Sequence, residues 1–212
     1  MLRLRFGETE DLKKHVNSAE GIDINARDAS GCTILLWAAR NGHDETVKYL
    51  CSINADLNAT GFGGWCALQH AVSCSRENMV ALLLENDANP NIPDETGTGA
   101  LHIAAARGAI NIVVRLIEAH ADVNAQNAMG VRPLHHGALF GQTTCMKKLA
   151  EYGADVDVQD AAGNTPLHLA AQLGFEPIIQ FLLGVCNKRI ANKEAKVPLD
   201  LARDSSTRKL LE

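Results

Sequence analysis

Cys66, His70 and Cys74 stand four and four apart. On an uninterrupted helix that spacing sets all three on one face, and thiolate and imidazole are good zinc ligands. A second set invites acid–base chemistry: His102, His135 and His168 recur at intervals of 33, and His136 follows His135 directly. Imidazole ionises closer to neutrality than other side chains, so such a pair could move protons or hold a metal. Against the first set, no fourth ligand stands nearby, the helix is expected to end by Cys74, and small thiols commonly fill cores. Against the second, a histidine recurring at fixed spacing is explained by a recurring structural unit and needs no catalytic role. There is no P-loop, G-x-S-x-G, H-E-x-x-H or dinucleotide fingerprint, and the glycine-rich "GFGGW" from Gly61 to Trp65 lacks a following lysine. The sequence therefore predicts no catalytic residue, no metal and no cofactor.

The elements that position these residues are written five times over. Leu35, Leu68, Leu101, Leu134 and Leu167 are separated by 33 residues each, with a glycine four before each and another leucine fifteen after. The phrase "GTGALHIAAARG" at Gly97 returns as "GNTPLHLAAQLG" at Gly163. In the last copy, Thr165 is suited to cap a helix by accepting a first-turn N–H, and Pro166 fits the first helical position. Leu167, Ala170 and Ala171 give that helix a face to bury, and Gly174 should end it in the left-handed conformation. A second helix follows, with Ile178, Ile179, Leu182 and Leu183 at helical spacing. Two helices this short cannot bury their apolar faces alone, but stacked copies form a continuous core.

The units resemble ankyrin repeats, most closely in "DAAGNTPLHLAAQLGFEPIIQFLL" from Asp160. The resemblance implies an all-α solenoid of antiparallel helix pairs with projecting hairpins, and a concave face built from the hairpins and first helices. It places full repeats at 28–60, 61–93, 94–126, 127–159 and 160–192, within a single domain. Residues 1–27 read as a degenerate N-terminal unit, with Leu2 at the anchor position, Gly7 early and the loop "NSAEG" long. That start fits either a natural cap or a piece of something longer. Residues 193–212 read as a polar C-terminal cap, with Leu199 as anchor and Asp200 in place of the histidine.

Bulk properties narrow the partners. The chain has 212 residues and a net charge of -5, without the basic excess of a nucleic-acid surface. No apolar run approaches the roughly 20 residues of a membrane span. The six cysteines follow no disulfide framework, so reduced thiols in cytoplasm or nucleus are expected. The expected behaviour is that of a monomer that binds a protein or peptide.

If sameness encodes the fold, difference should encode the partner. The resemblance assigns recognition to positions six, five and three before each anchor leucine and five and six after it. These hold Phe62 and Trp65 in the second full unit, Glu95 and Arg107 in the third, Met129, Val131, Leu139 and Phe140 in the fourth, and Leu173 in the fifth. Two readings compete. The large apolar residues form partner anchors at places solvent should claim, or they fold back, with Phe62 covering Trp65 and Phe140 packing under a neighbouring hairpin. The resemblance also marks Asn58 and Asn124 as candidate hydroxylation sites, because ankyrin hairpins are substrates of an asparaginyl hydroxylase that favours a leucine eight residues earlier. Leu50 and Leu116 stand there. The competing reading is that both asparagines serve only the hairpin's own hydrogen bonds.

Overall fold

The computed structural model describes residues 9–17 and 23–212. The Leu2 anchor, Gly7 and the loop after Asn17 lie outside the described residues. The chain packs as two compact units, with the boundary between Glu95 and Thr96 at the hairpin tip that opens the third full repeat. Each unit is described by itself.

The first unit holds α1 (Thr9–Asn17), α2 (Ile34–Asn41), α3 (Asp44–Ser52), α4 (Ala67–Ser73) and α5 (Glu77–Glu85). Inner helix α2 pairs with α3 and α4 with α5, while α2 packs on α4 and α3 on α5. Helix α1 lies along α3, so it takes the outer place of the degenerate first repeat. The second unit repeats the pattern with inner helices α6 (Ala100–Arg107), α8 (Pro133–Leu139) and α10 (Pro166–Leu173) and outer helices α7 (Ile110–Glu118), α9 (Thr143–Glu151) and α11 (Glu176–Leu183). A 3₁₀ turn at Pro198–Leu201 stacks on α10, and a last helix, α12 (Ser205–Leu211), packs on α11. The described elements are helical throughout; strand pairing is confined to one isolated bridge between Thr60 and Cys66. No helix among the described residues is long and apolar enough to cross a membrane.

The core follows the period. All five anchor leucines and the leucines fifteen residues on are buried, and so are Ala38, Ala71, Ala104, Ala105, Ala138, Ala170 and Ala171, whose small side chains let the inner helices approach closely. Ile178, Ile179 and Leu182 are fully buried, but Leu183 is only half-buried. Gly174 ends α10 with φ +75°, as its position required. Thr165 is the N-cap of α10, and its hydroxyl also lies 2.8 Å from His168 Nδ1. Thr33 caps α2 in the simpler way, accepting from the Leu36 amide at 3.3 Å.

Hairpins are joined backbone to backbone. Glu95 N–H donates to Gly63 O in the first unit; in the second, Ala128 donates to Thr96 O, Ala161 to Met129 O and Lys193 to Ala162 O, at 2.9–3.1 Å. This contact is why a glycine recurs there: at Gly97, with φ +82°, an added Cβ would stand 2.9 Å from Ala128 N. The hairpin around Gly31 has no such bond to the next one, and a Cβ on Gly31 would meet nothing within 4 Å.

Candidate binding surface

The recurring histidines are structural. His102, His135 and His168 are fully buried. Each Nδ1 accepts the amide of the residue before its helix: Gly99 at 3.2 Å, Arg132 at 3.2 Å and Thr165 at 3.1 Å. The proton is thereby assigned to Nε2, which donates to a carbonyl of the following hairpin: Val131 at 3.1 Å, Asn164 at 3.0 Å and Lys196 at 3.1 Å. Both ring nitrogens are used by the fold. Burial pushes the pKa of His135 and His168 down, against the smaller opposite effect of the carbonyls they bond.

The cysteine–histidine triplet does not converge. Cys66 is buried as the N-cap of α4, while Cys74 is exposed at the other end of that helix. His70 lies half-buried between them, its ring 5.2 Å from that of Trp65. Among the described residues no group of three or more His, Cys, Asp or Glu is arranged to hold a metal ion.

In the second unit the variable positions carry apolar side chains into solvent. Met129 is 69% exposed, Phe140 58% and Leu139 37%. Phe140 therefore does not pack under a hairpin; its one ring neighbour is His136, 6.2 Å away. His136 in turn stands edge-on to His102 at 5.5 Å, and its Nδ1 is buried without a hydrogen-bond partner. Burial first, then the adjacent rings of His102 and His135, push His136 down to about 4. Val131 and Leu173 are half-buried, and Arg107 is exposed. The position three before the anchor differs from the expectation of solvent exposure. Cys32 is buried there, and Trp65, Thr98, Val131 and Asn164 are half-buried, because that residue faces the next hairpin. Asn164 shows the reason: its Oδ1 accepts from Asn192 Nδ2 at 2.8 Å. In the first unit Phe62 is 84% exposed and leaves Trp65 to His70, so it does not cover Trp65. Glu95 is exposed at its hairpin tip.

The family description "Ankyrin repeats (3 copies)" matches residues 1–94 and 101–196. The chain belongs to the ankyrin repeat family. Its fold is accordingly the all-α stack of helix pairs and hairpins that the resemblance implied, and ankyrin repeats are in general protein–protein interaction modules. The chain is also similar to acyl-CoA-binding domain-containing protein 2 of Arabidopsis thaliana, 48% identical over 52 residues. Those residues are 24% of this chain and 14% of that protein, so the match covers a small part of the relative's length.

The ankyrin hairpins employ both candidate asparagines. Asn58 Oδ1 accepts the Asn89 amide at 2.9 Å. Asn124 Oδ1 accepts the Asp155 amide at 3.0 Å, and its Nδ2 donates to Gly153 O at 3.3 Å. Trp37 escaped the sequence reading, and His136 entered it only as half of a histidine pair, not as part of the binding face. Both stand two after an anchor leucine, three and four before the variable positions at the end of the ankyrin first helix, and so on the same helical face. That spacing was the available signal.

Proposed function

We propose that the chain is a non-catalytic ankyrin array that binds a partner protein through the hairpin and first-helix face of its second unit. Met129, Leu139 and Phe140 are the central anchors, and Val131 and Leu173 widen the patch. The observation that carries this reading is the exposure of Met129 (69%), Phe140 (58%) and Leu139 (37%) within one repeat. Large apolar side chains exposed in this number mark interaction sites, and aromatic residues are frequent hot spots. Fully burying one such side chain is worth roughly 1.5–3 kcal/mol, so two or three can dominate a micromolar affinity of about 8 kcal/mol. Arg107 at the margin supplies polar register in this unit, and Phe62, Trp65 and Glu95 form a second candidate contact in the first. The array works as a preformed surface that needs little ordering on binding.

The test compares affinity purifications of the wild type and Phe140→Ser from cells, read by mass spectrometry. A stoichiometric protein should be lost with Phe140→Ser, at least tenfold, while the thermal midpoint barely moves. Leu134→Ser should unfold the array first, since it puts a cavity and an unpaired hydroxyl in the core. A Phe140→Ser chain that keeps every partner would refute the assignment. A second reading is that the array targets a larger protein, or serves as dedicated inhibitor or assembly chaperone of one protein. The same purification separates them, as a covalently longer parent, a single stoichiometric target or several clients. Hydroxylation of Asn58 and Asn124 stays a separate proposal, read as one added oxygen on the peptide carrying Asn124.

A further inference from the structure

The first unit carries a different kind of surface. The Arg40 guanidinium lies 5.5 Å over the Trp37 ring. On α4, which packs on α2, stands His70, whose ionisation is disfavoured first by burial and then by the charge of Arg40 and whose ring lies 5.2 Å from that of Trp65. Phe62 stands at the hairpin tip beside Trp65, 84% exposed. The guanidiniums about α2, those of Arg27, Arg40 and Arg76, outnumber the Asp28 carboxylate beside them. Asp28 is the nearby carboxylate, and it is fully engaged: Oδ2 accepts the Trp37 indole N–H at 2.7 Å, and Oδ1 accepts the amides of Ser30 and Cys32 at 2.8 and 3.0 Å. That bond also fixes the indole, so Trp37 presents a rigid platform. Among the described residues Arg40 has no carboxylate within ion-pairing distance, and its one partner is the Trp37 ring. Two further guanidiniums border α2, but their recorded partners are carbonyls, which leave the charge unneutralised: Arg27 donates to Gly31 O and Thr60 O, and Arg76 to Ala39 O at 2.9 Å.

We propose that this group, Trp37–Arg40–His70–Trp65 with Phe62 at its edge, binds an extended segment of a partner protein in which an acidic side chain adjoins proline or another apolar residue. The carboxylate pairs with the outward edge of Arg40, and the apolar neighbours lie on the two indoles. A guanidinium held over an indole by a cation–π contact keeps its N–H donors for a carboxylate, which can accept two of them in parallel. The indoles offer flat apolar area with little rotamer freedom to lose. This rests on the reading of the chain as a protein-binding array, but it uses residues of the first unit alone.

The test is selection of a displayed random peptide library on the whole chain. The selected pool should be enriched in Asp or Glu next to proline or an apolar residue. A synthetic winner should shift the intrinsic tryptophan emission, because the two tryptophans of the chain are Trp37 and Trp65. Its Glu→Gln or Asp→Asn version should bind at least tenfold more weakly, and so should the original peptide to Arg40→Glu and Arg40→Gln chains whose thermal midpoints match the wild type. Phe140→Ser should bind it normally. Winners without acid enrichment, winners that leave the emission unmoved or bind Arg40→Glu equally, and an empty selection each overturn the proposal. Winners lost on Phe140→Ser alone sink it while sustaining the second-unit reading.

Discussion

Ala195 has the backbone of a glycine. Its φ is +60°, at the hairpin position where Gly31, Gly64, Gly97, Gly130 and Gly163 have φ between +72° and +82°. Ser75, at +54°, likewise stands where Gly42, Gly108, Gly141 and Gly174 stand in other repeats. A side chain in the left-handed region costs about 1–2 kcal/mol, and glycine gives back about 0.4–1 kcal/mol through the freedom of the unfolded chain. Ala195→Gly and Ser75→Gly should therefore each stabilise by about 0.5–1 kcal/mol, seen as a higher urea midpoint at unchanged slope. The reverse change separates strain from collision. Gly31→Ala meets open space and should cost about 1 kcal/mol from strain alone. Gly97→Ala adds a clash with the backbone of Asn127 and Ala128 at 2.9–3.2 Å, and should cost about 2 kcal/mol or more. Equal losses at the two sites would mean that the hairpins give way and the backbone contact does not fix the glycine. Which positions needed glycine was legible in the recurrence; that the reason differs between Gly31 and Gly97 was not, because it depends on the neighbouring hairpin.

At the scale of the element, one task is performed by three chemistries. The amide before each inner helix needs an acceptor. His102, His135 and His168 supply it, Gln69 Oε1 does so for Cys66 at 2.8 Å, and Asp200 Oδ2 for Val197 at 2.9 Å. The histidine motif was legible in the sequence, but its substitutes were not, since what recurs is an acceptor and not a residue type. His135 also donates onward to the Asn164 carbonyl, so His135→Ala should leave two buried groups unpaired and cost about 3–5 kcal/mol. Asp200→Ala, at an exposed position with one bond, should cost about 1 kcal/mol. Urea unfolding of both variants checks the ratio. These helices also set the acid response. His70 and His136 lie at about 4, and His135 and His168 are lowered too, against an ordinary 6.5. Between those values the unfolded chain binds more protons than the folded one, so stability is full above about pH 6.5 and falls as pH drops towards 4. Asp28, held low first by the Trp37 indole, and Asp204, held low first by the Thr207 amide, add losses only below their ordinary carboxyl range. Thermal midpoints from pH 7 to 4.5 should decline, and His136→Phe should flatten the decline. An unchanged slope would mean that His136 titrates normally.

The whole molecule can be interrogated through its thiols, all six of which are free. Cys74 is exposed, Cys186 is half-buried with a thiol pushed up to about 11 by burial and Asp157, and Cys32, Cys51, Cys66 and Cys145 are buried. Burial pushes Cys51 and Cys66 up and Cys145 to about 11, so the buried thiols react only when their surroundings open. A pulse of alkylating reagent at pH 7.5 should mark Cys74 at once and the buried four only through opening. Ankyrin arrays draw stability from neighbouring repeats, so opening should track the joins each repeat makes. The repeat holding Cys32 and Cys51 has fewer joins: its hairpin has no backbone bond to the next, and Leu36 occupies the histidine position, so the link is left to exposed side chains, Arg27 donating to Thr60 O and Asn25 accepting the Asp56 amide. Cys145 sits in α9, packed between α7 and α11 in a unit with three histidine links and three hairpin bonds. Cys32 and Cys51 should therefore be labelled at least tenfold faster than Cys145, measured by mass spectrometry of the alkylated peptides. Comparable rates at all three would place the weak point elsewhere and leave the missing hairpin bond without energetic consequence. Faster labelling of Cys145 would reverse the order of stability argued from the links.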